Sequence, residues 1–223
     1  MVHTMPAYRN LCAALCLLLG WGFAAGVPAA PAALFGYREV PQTDMAPLHQ
    51  WLRVMERHLT QDVPPGSCQE TRFNRCHLTH WRAFLKSIRQ LDPKAQLAAV
   101  NRYANHLPYV LDEDNYGVPD YWAIVREFLD NGGDCEDYAI TKFYSLKWLG
   151  FDPDRMRIVV VQDTNLRVPH AILALYRQDG QILVLDNQIR QIVPAESIVH
   201  YAPVFSVNEA HWWIHYPRSL KRP

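Results

Sequence analysis

The chain has no excess of either charge. Lys and Arg total 22 and Asp and Glu total 22, so nothing marks a nucleic-acid surface or a polybasic membrane patch. There is no internal repeat, and no low-complexity tract follows the N-terminal region. The apolar run "LCAALCLLLGWGF", residues 11–23, is short for a membrane span, which takes about 20 apolar residues. Cysteine is scarce, at five in 223 residues. A framework of several disulfides is therefore not what holds this chain together.

Hydrophobic residues make up 49% and aromatic residues 12% of the chain, enough for a core and one domain of moderate size. The N-terminus carries Arg9, then the apolar run, then the small-residue stretch "AAGVPAAPAA". That pattern is a secretory signal peptide, with an uncleaved anchor as the alternative. The expected layout is a signal over 1–26, a linker over 27–44 and a single domain over 45–223. Cys12 and Cys16 fall in the signal. Cys68 and Cys76, in "CQETRFNRC", are close enough to form a disulfide in an oxidising compartment. A zinc site from Cys68, Cys76, His77 and His80 would need both thiols reduced. Cys135 is left as a free thiol.

Along the chain, helical periodicity comes first. Residues 45–59 place Leu48, Leu52, Met55 and Leu59 on one stripe. Residues 78–91 follow, with Thr79 as expected N-cap and Trp81, Leu85, Ile88 and Leu91 as the buried stripe. Residues 93–107 open on Pro93. A loop is expected over 111–119 and a short helix over 120–129, ended by "DNGG". A further helix follows Cys135 and stops at Gly150. The period then changes: 156–163, 170–177 and 181–188 read as strands, and 202–208 adds another. Helices first and sheet second is the α+β arrangement.

The chemistry is carried by "DNGGDCEDYAI", residues 130–140. Cys135 opens a helix behind Gly132 and Gly133. Backbone N–H groups at a helix start favour a thiolate, and glycines allow a substrate backbone to approach. Taken alone, such a cysteine reads first as a core residue. The second half of the chain changes that, because a thiol nucleophile needs a base and the base needs an orienting group. His170 stands at the start of a strand, and Asp186 follows the run "ILVL" on the next. The joining loop decides whether they meet. A two-residue turn at Asp179-Gly180 puts Asp186 opposite Leu173, on the wrong face. A three-residue loop, Gln178–Gly180, puts Asp186 opposite Ile172, on the face of His170. Such loops favour Gly in the last, left-handed position, where Gly180 stands. The spacing thus permits a Cys135–His170–Asp186 triad.

Asp134 and Glu136 flank the cysteine, and uncompensated carboxylates disfavour a thiolate. Two readings stand. A divalent cation such as Ca²⁺ offsets their charge, or they simply suit the positive end of the helix.

The segments "GVPDYWAIVREFLDNGGDCEDYAITKFYSLKWLGF", "HAILALY", "LVLDNQIRQIVPA" and "PVFSVNEAHWW" resemble the bacterial transglutaminase-like cysteine proteases of the LapG type. The resemblance implies a papain/transglutaminase-like core with N-terminal helices, an antiparallel sheet and the nucleophile at a helix N-terminus. It implies a periplasmic, calcium-dependent endopeptidase that cuts the N-terminal region of a large repeat adhesin and promotes biofilm dispersal. The implied partner is the periplasmic domain of an inner-membrane cyclic di-GMP receptor. The resemblance carries the triad onto Cys135, His170 and Asp186, and the calcium carboxylates onto Asp134 and Glu136. A secreted acyltransferase and a non-catalytic calcium-dependent binding module are the alternatives.

Overall fold

In the computed structural model, which describes residues 33–60, Ser67 and residues 76–218, the change of period near residue 156 is the change from helices to sheet. The expected signal peptide and Cys68 lie outside the described residues. Cys76 is disulfide-bonded; its partner also lies outside them. Among the described residues the helices are α1 His49–Thr60, α2 Cys76–Ile88, α3 Pro93–Ala104, α4 Asp112–Tyr116, α5 Val125–Asn131 and α6 Cys135–Trp148. The strands are β1 Arg38–Gln42, β2 Met156–Asp163, β3 Val168–Tyr176, β4 Ile182–Leu185, β5 Val193–Pro194, β6 Tyr201–Val207 and β7 Trp212–Tyr216. They form one antiparallel sheet in the order β1-β7-β6-β2-β3-β4-β5. This is the α+β fold that the order of periods implied.

Helix α6 is the hub. Every residue from Glu136 to Leu146 is buried, because the helix lies between the other helices and the sheet. Its Ile140, Phe143 and Leu146 pack with Leu173 and Leu175 of β3 on one face of the sheet. The other face holds Val159, Val161, Ile172 and Ala174 with Leu34 and Tyr201. Pro93 opens α3 as expected, and Asp92 caps it by accepting the Ala95 N–H at 3.0 Å.

Several expectations are corrected. In α1, Leu59 is 84% exposed and the buried residues are Trp51 and Val54. The helix turns to bring the Trp51 indole N–H onto the Asn208 carbonyl at 2.8 Å. In α2, Thr79 lies inside the helix, three residues after its start, and Leu91 is exposed beyond its end. Residues 34–42, in the span read as linker, contain a short 3-10 turn and β1, which pairs with β7. Within the expected loop 111–119, the five-residue α4 forms. Residues 121–124, expected as helix, are not helical; α5 starts at Val125. The cause is capture of their N–H groups by carboxylates: Tyr121 donates to Asp112 at 2.6 Å, Ala123 to Asp137 at 2.7 Å and Ile124 to Glu127 at 3.0 Å.

Candidate active site

The turn before Cys135 explains its two glycines. Gly132 has φ +74°, and a Cβ there would sit 2.5 Å from the Pro108 carbonyl oxygen. At Gly133 a Cβ would sit 2.0 Å from Asp137 Oδ2. The room is taken because Asp137, fully buried, accepts the N–H groups of Ala123 and Asp134 at 2.7 and 3.2 Å. It ties the start of α6 to the 121–124 segment.

The hairpin follows the three-residue alternative. Leu173 pairs with Leu185 and Tyr176 with Ile182, and the Arg177 N–H donates to the Gln181 carbonyl at 2.8 Å. The loop is therefore Gln178–Gly180, with Gly180 at φ +86°. Continuing the register past Leu185 sets Asp186 opposite Ile172, beside His170. The two meet: His170 Nε2 donates to Asp186 Oδ1 at 2.9 Å, with both side chains almost wholly buried. Strand β4 ends earlier than expected, since Asp186 Oδ1 also accepts the Gln188 N–H at 2.9 Å and bends the chain. Asp186 Oδ2 accepts the Tyr201 hydroxyl at 2.7 Å. Burial raises the Asp186 pKa, but the hydrogen bond and charge of His170 and the Gln188 and Tyr201 donors win, and the net shift is downward. The other ring nitrogen, Nδ1, has only the Gln188 amide at 3.4 Å.

Cys135 comes from the far side of the sheet, at the N-terminus of α6. Its sulfur meets the backbone N–H of Ala171, the neighbour of His170. The thiol also donates to Glu136 Oε2 at 3.2 Å. Burial, then Glu136 and Asp134, push the thiol pKa up; the Ala171 N–H works in the other direction. With these carboxylates uncompensated, the thiol is held protonated.

The acids form a larger set than the sequence suggested. Asp112 and Asp120 lie with Glu136, and Asp112 with Asp134 and Asp137, each trio having ligand atoms within 4.8 Å of one another. Asp112 Oδ1 and Asp134 Oδ1 are buried without a hydrogen-bond partner. Burial first, and then neighbouring carboxylates, push Asp112 up to about 6 and Glu136 up to about 10. A group of carboxylate donors that runs from buried Asp112 and Glu136 through half-buried Asp134 to exposed Asp120, with unfilled acceptors on Asp112 and Asp134, is the chemistry of a hard divalent cation. Asp134 and Glu136 were legible in the sequence. Asp112 and Asp120 were not: Asp112 lies in a stretch that reads as an ordinary acidic loop, and Asp120 at the start of the expected helix over 120–129.

The chain matches the family of bacterial transglutaminase-like cysteine proteinases over residues 67–218. Among curated proteins nothing matches. Among solved structures it is similar to Legionella pneumophila LapG, at 27% identity and TM-score 0.58 over 83% of this chain and 90% of that one. Calcium-bound Legionella LapG is similar at 28% identity and TM-score 0.58, over 73% and 86%. The EGTA-treated form is similar at 28% and 0.59, over 86% and 90%. With the helix-start cysteine, the His–carboxylate hairpin and a match over most of its length, the chain belongs to the bacterial transglutaminase-like cysteine proteinase family.

Proposed function

We propose that this protein is a calcium-dependent cysteine endopeptidase with the triad Cys135, His170 and Asp186. The observation that carries this reading is the His170–Asp186 hydrogen bond, set beside the strand residue whose N–H meets the Cys135 sulfur. His170 Nδ1 takes the thiol proton. The thiolate attacks the substrate carbonyl, with the N–H of Cys135 as one oxyanion donor at the helix start. Asp186 fixes the tautomer of His170 and stabilises the imidazolium. His170 then protonates the leaving amine, and water hydrolyses the acyl-enzyme.

Asp134, Glu136, Asp112 and Asp120 are the residues that would hold calcium. Bound there, calcium supplies positive charge beside the nucleophile and draws the carboxylates away from holding the thiol protonated. Asp137 stays with the backbone, since both of its oxygens already accept N–H groups.

The substrate and setting follow from the family resemblance of the "GDCEDYA" segment and the signal-like N-terminus. The enzyme acts in the periplasm on the N-terminal region of a large surface adhesin, releases it and disperses biofilm. The periplasmic domain of a cyclic di-GMP receptor restrains it. The test is incubation of the calcium-loaded protein with an adhesin N-terminal fragment. Cleavage that stops in Cys135→Ala supports the reading. Incorporation of a labelled amine into a glutamine-bearing protein, without cleavage, replaces it with acyl transfer.

A further inference from the structure

Tyr201, on β6, takes part in no step above, yet it meets both members of the His–carboxylate pair. Its hydroxyl donates to Asp186 Oδ2 at 2.7 Å, and its ring centroid lies 5.6 Å from that of His170, tilted by 52°. It reaches them across the sheet: its Cα pairs with Asp163 of β2, and β2 separates β6 from β3. Tyr201 and Asp186 are both buried.

The two oxygens of Asp186 are held unequally. Oδ1 accepts two N–H groups, from His170 and Gln188, both at 2.9 Å. Among the described residues, the Tyr201 hydroxyl is the one hydrogen-bond donor to Oδ2. A buried carboxylate oxygen without a donor is unfavourable, and a carboxylate that turns to find one takes Oδ1 away from Nε2. Burial and then the Asp186 charge push the phenol pKa up, so the hydroxyl keeps its proton and stays a donor.

The ring is itself held. Phe35 meets it edge-on, at 5.8 Å and 84°, and fully buried Leu34 packs in the same cluster. Phe35 stands at φ +49°, in the left-handed region that a bulky residue enters only when its surroundings require it. The 3-10 turn Leu34–Gly36 keeps that conformation where it sets both side chains against Tyr201. A residue that served packing alone would do as well without the hydroxyl.

We propose that Tyr201 is a positioning residue: its hydroxyl fixes the Asp186 carboxylate so that Oδ1 receives the His170 Nε2 proton and Nδ1 is left free as the base. It touches neither substrate nor the reacting atoms. This role rests on the proposed triad, and the experiment separates the two.

Tyr201→Phe keeps the ring and removes the donor. In the full chain with calcium present, long-range ¹H–¹⁵N spectra of ¹⁵N-histidine protein show which nitrogen of the neutral His170 ring carries the proton, with the signal assigned by its loss in His170→Gln. The wild type carries it on Nε2, and Tyr201→Phe gives a mixture with the Nδ1–H form. An unmoved tautomer overturns the proposal, whether or not the chain cleaves protein; a chain that cleaves nothing in any form, with the tautomer shifted, counts against the protease reading alone. On an adhesin fragment, kcat in Tyr201→Phe falls about tenfold or more with KM unchanged, the size expected for a lost hydrogen bond to a charged group. 3-Fluorotyrosine at position 201, which keeps ring and donor, restores both readouts. A Phe variant with the wild-type kcat overturns the proposal. So does one that loses its fold while the fluorotyrosine protein keeps it, since the hydroxyl would then serve stability.

Discussion

Gly133→Ala should damage both fold and site, by an amount the turn lets us work out. The new Cβ would fall 2.0 Å from Asp137 Oδ2, 2.8 Å from its Cγ and 2.9 Å from Phe128 Cδ2. Phe128 is fully buried and cannot yield, so Asp137 must move. Asp137 then gives up the Ala123 and Asp134 N–H groups it accepts at 2.7 and 3.2 Å. Each buried donor left unpaired costs about 1–3 kcal/mol, so the loss is roughly 2–6 kcal/mol. For a domain of this size, 1 kcal/mol lowers Tm by about 2–4 °C. Urea unfolding of calcium-loaded protein measures the loss. A double-mutant cycle with Asp137→Asn then tests its cause. Asn keeps one acceptor oxygen and so loses at least one of these two bonds, which Gly133→Ala loses as well; together the changes should cost clearly less than the sum of the two. Full additivity, or a loss under about 1 kcal/mol for Gly133→Ala, would refute the reasoning.

Cys135→Ala, His170→Ala and Asp186→Ala should each remove most proteolysis of an adhesin fragment, and combining them should add little, because the three act as a unit; additive losses would count against the triad. Asp112→Asn, distant in sequence from the nucleophile, should weaken calcium binding by calorimetry at least as clearly as Asp134→Asn does, while unchanged affinity would remove Asp112 from the site. His215, with its Nε2 2.9 Å from Ser206 Oγ, is held down to about 4 by burial, although Glu39 raises it. Its folded pKa is below the unfolded value, so the unfolded chain takes up the proton first. Stability should therefore fall as pH drops from about 6.5 to 4, by up to about 3 kcal/mol. The urea midpoint should lose this part of its pH dependence in His215→Gln, and an identical pH profile would contradict the assignment.

How far the sequence could be read depended on whether a residue's neighbours were local. The β3–β4 register was legible because it turns on loop length and one glycine, Gly180, both visible within ten residues. Cys135 at a helix start was legible for the same reason. Residues 121–124 were not: their periodicity is helical, but carboxylates from Asp112, Asp137 and Glu127 take the N–H groups a helix would have used. Asp112 is buried by packing set elsewhere in the chain. A fully buried Lys142 runs against the strong preference of lysine for the surface, and no pattern in "AITKFYS" marks it.

The sheet order also sets a timetable. The strands that carry the hairpin, β2, β3 and β4, follow α6 directly in the chain and pair with their sequence neighbours. Among the described residues β1 pairs only with β7, joining Arg38 to Tyr216 across most of the chain. Closing so long a loop is slow. On a growing chain, β1 must wait for the last strand to appear, whereas the hairpin can form as soon as residue 186 is available. The site thus gains its His–carboxylate geometry early, and the far edge of the sheet closes last. Until it does, β7, paired with β6 on one side, presents Trp212, Trp213 and Ile214 along an open edge. That interval is when this chain is most prone to edge-to-edge association.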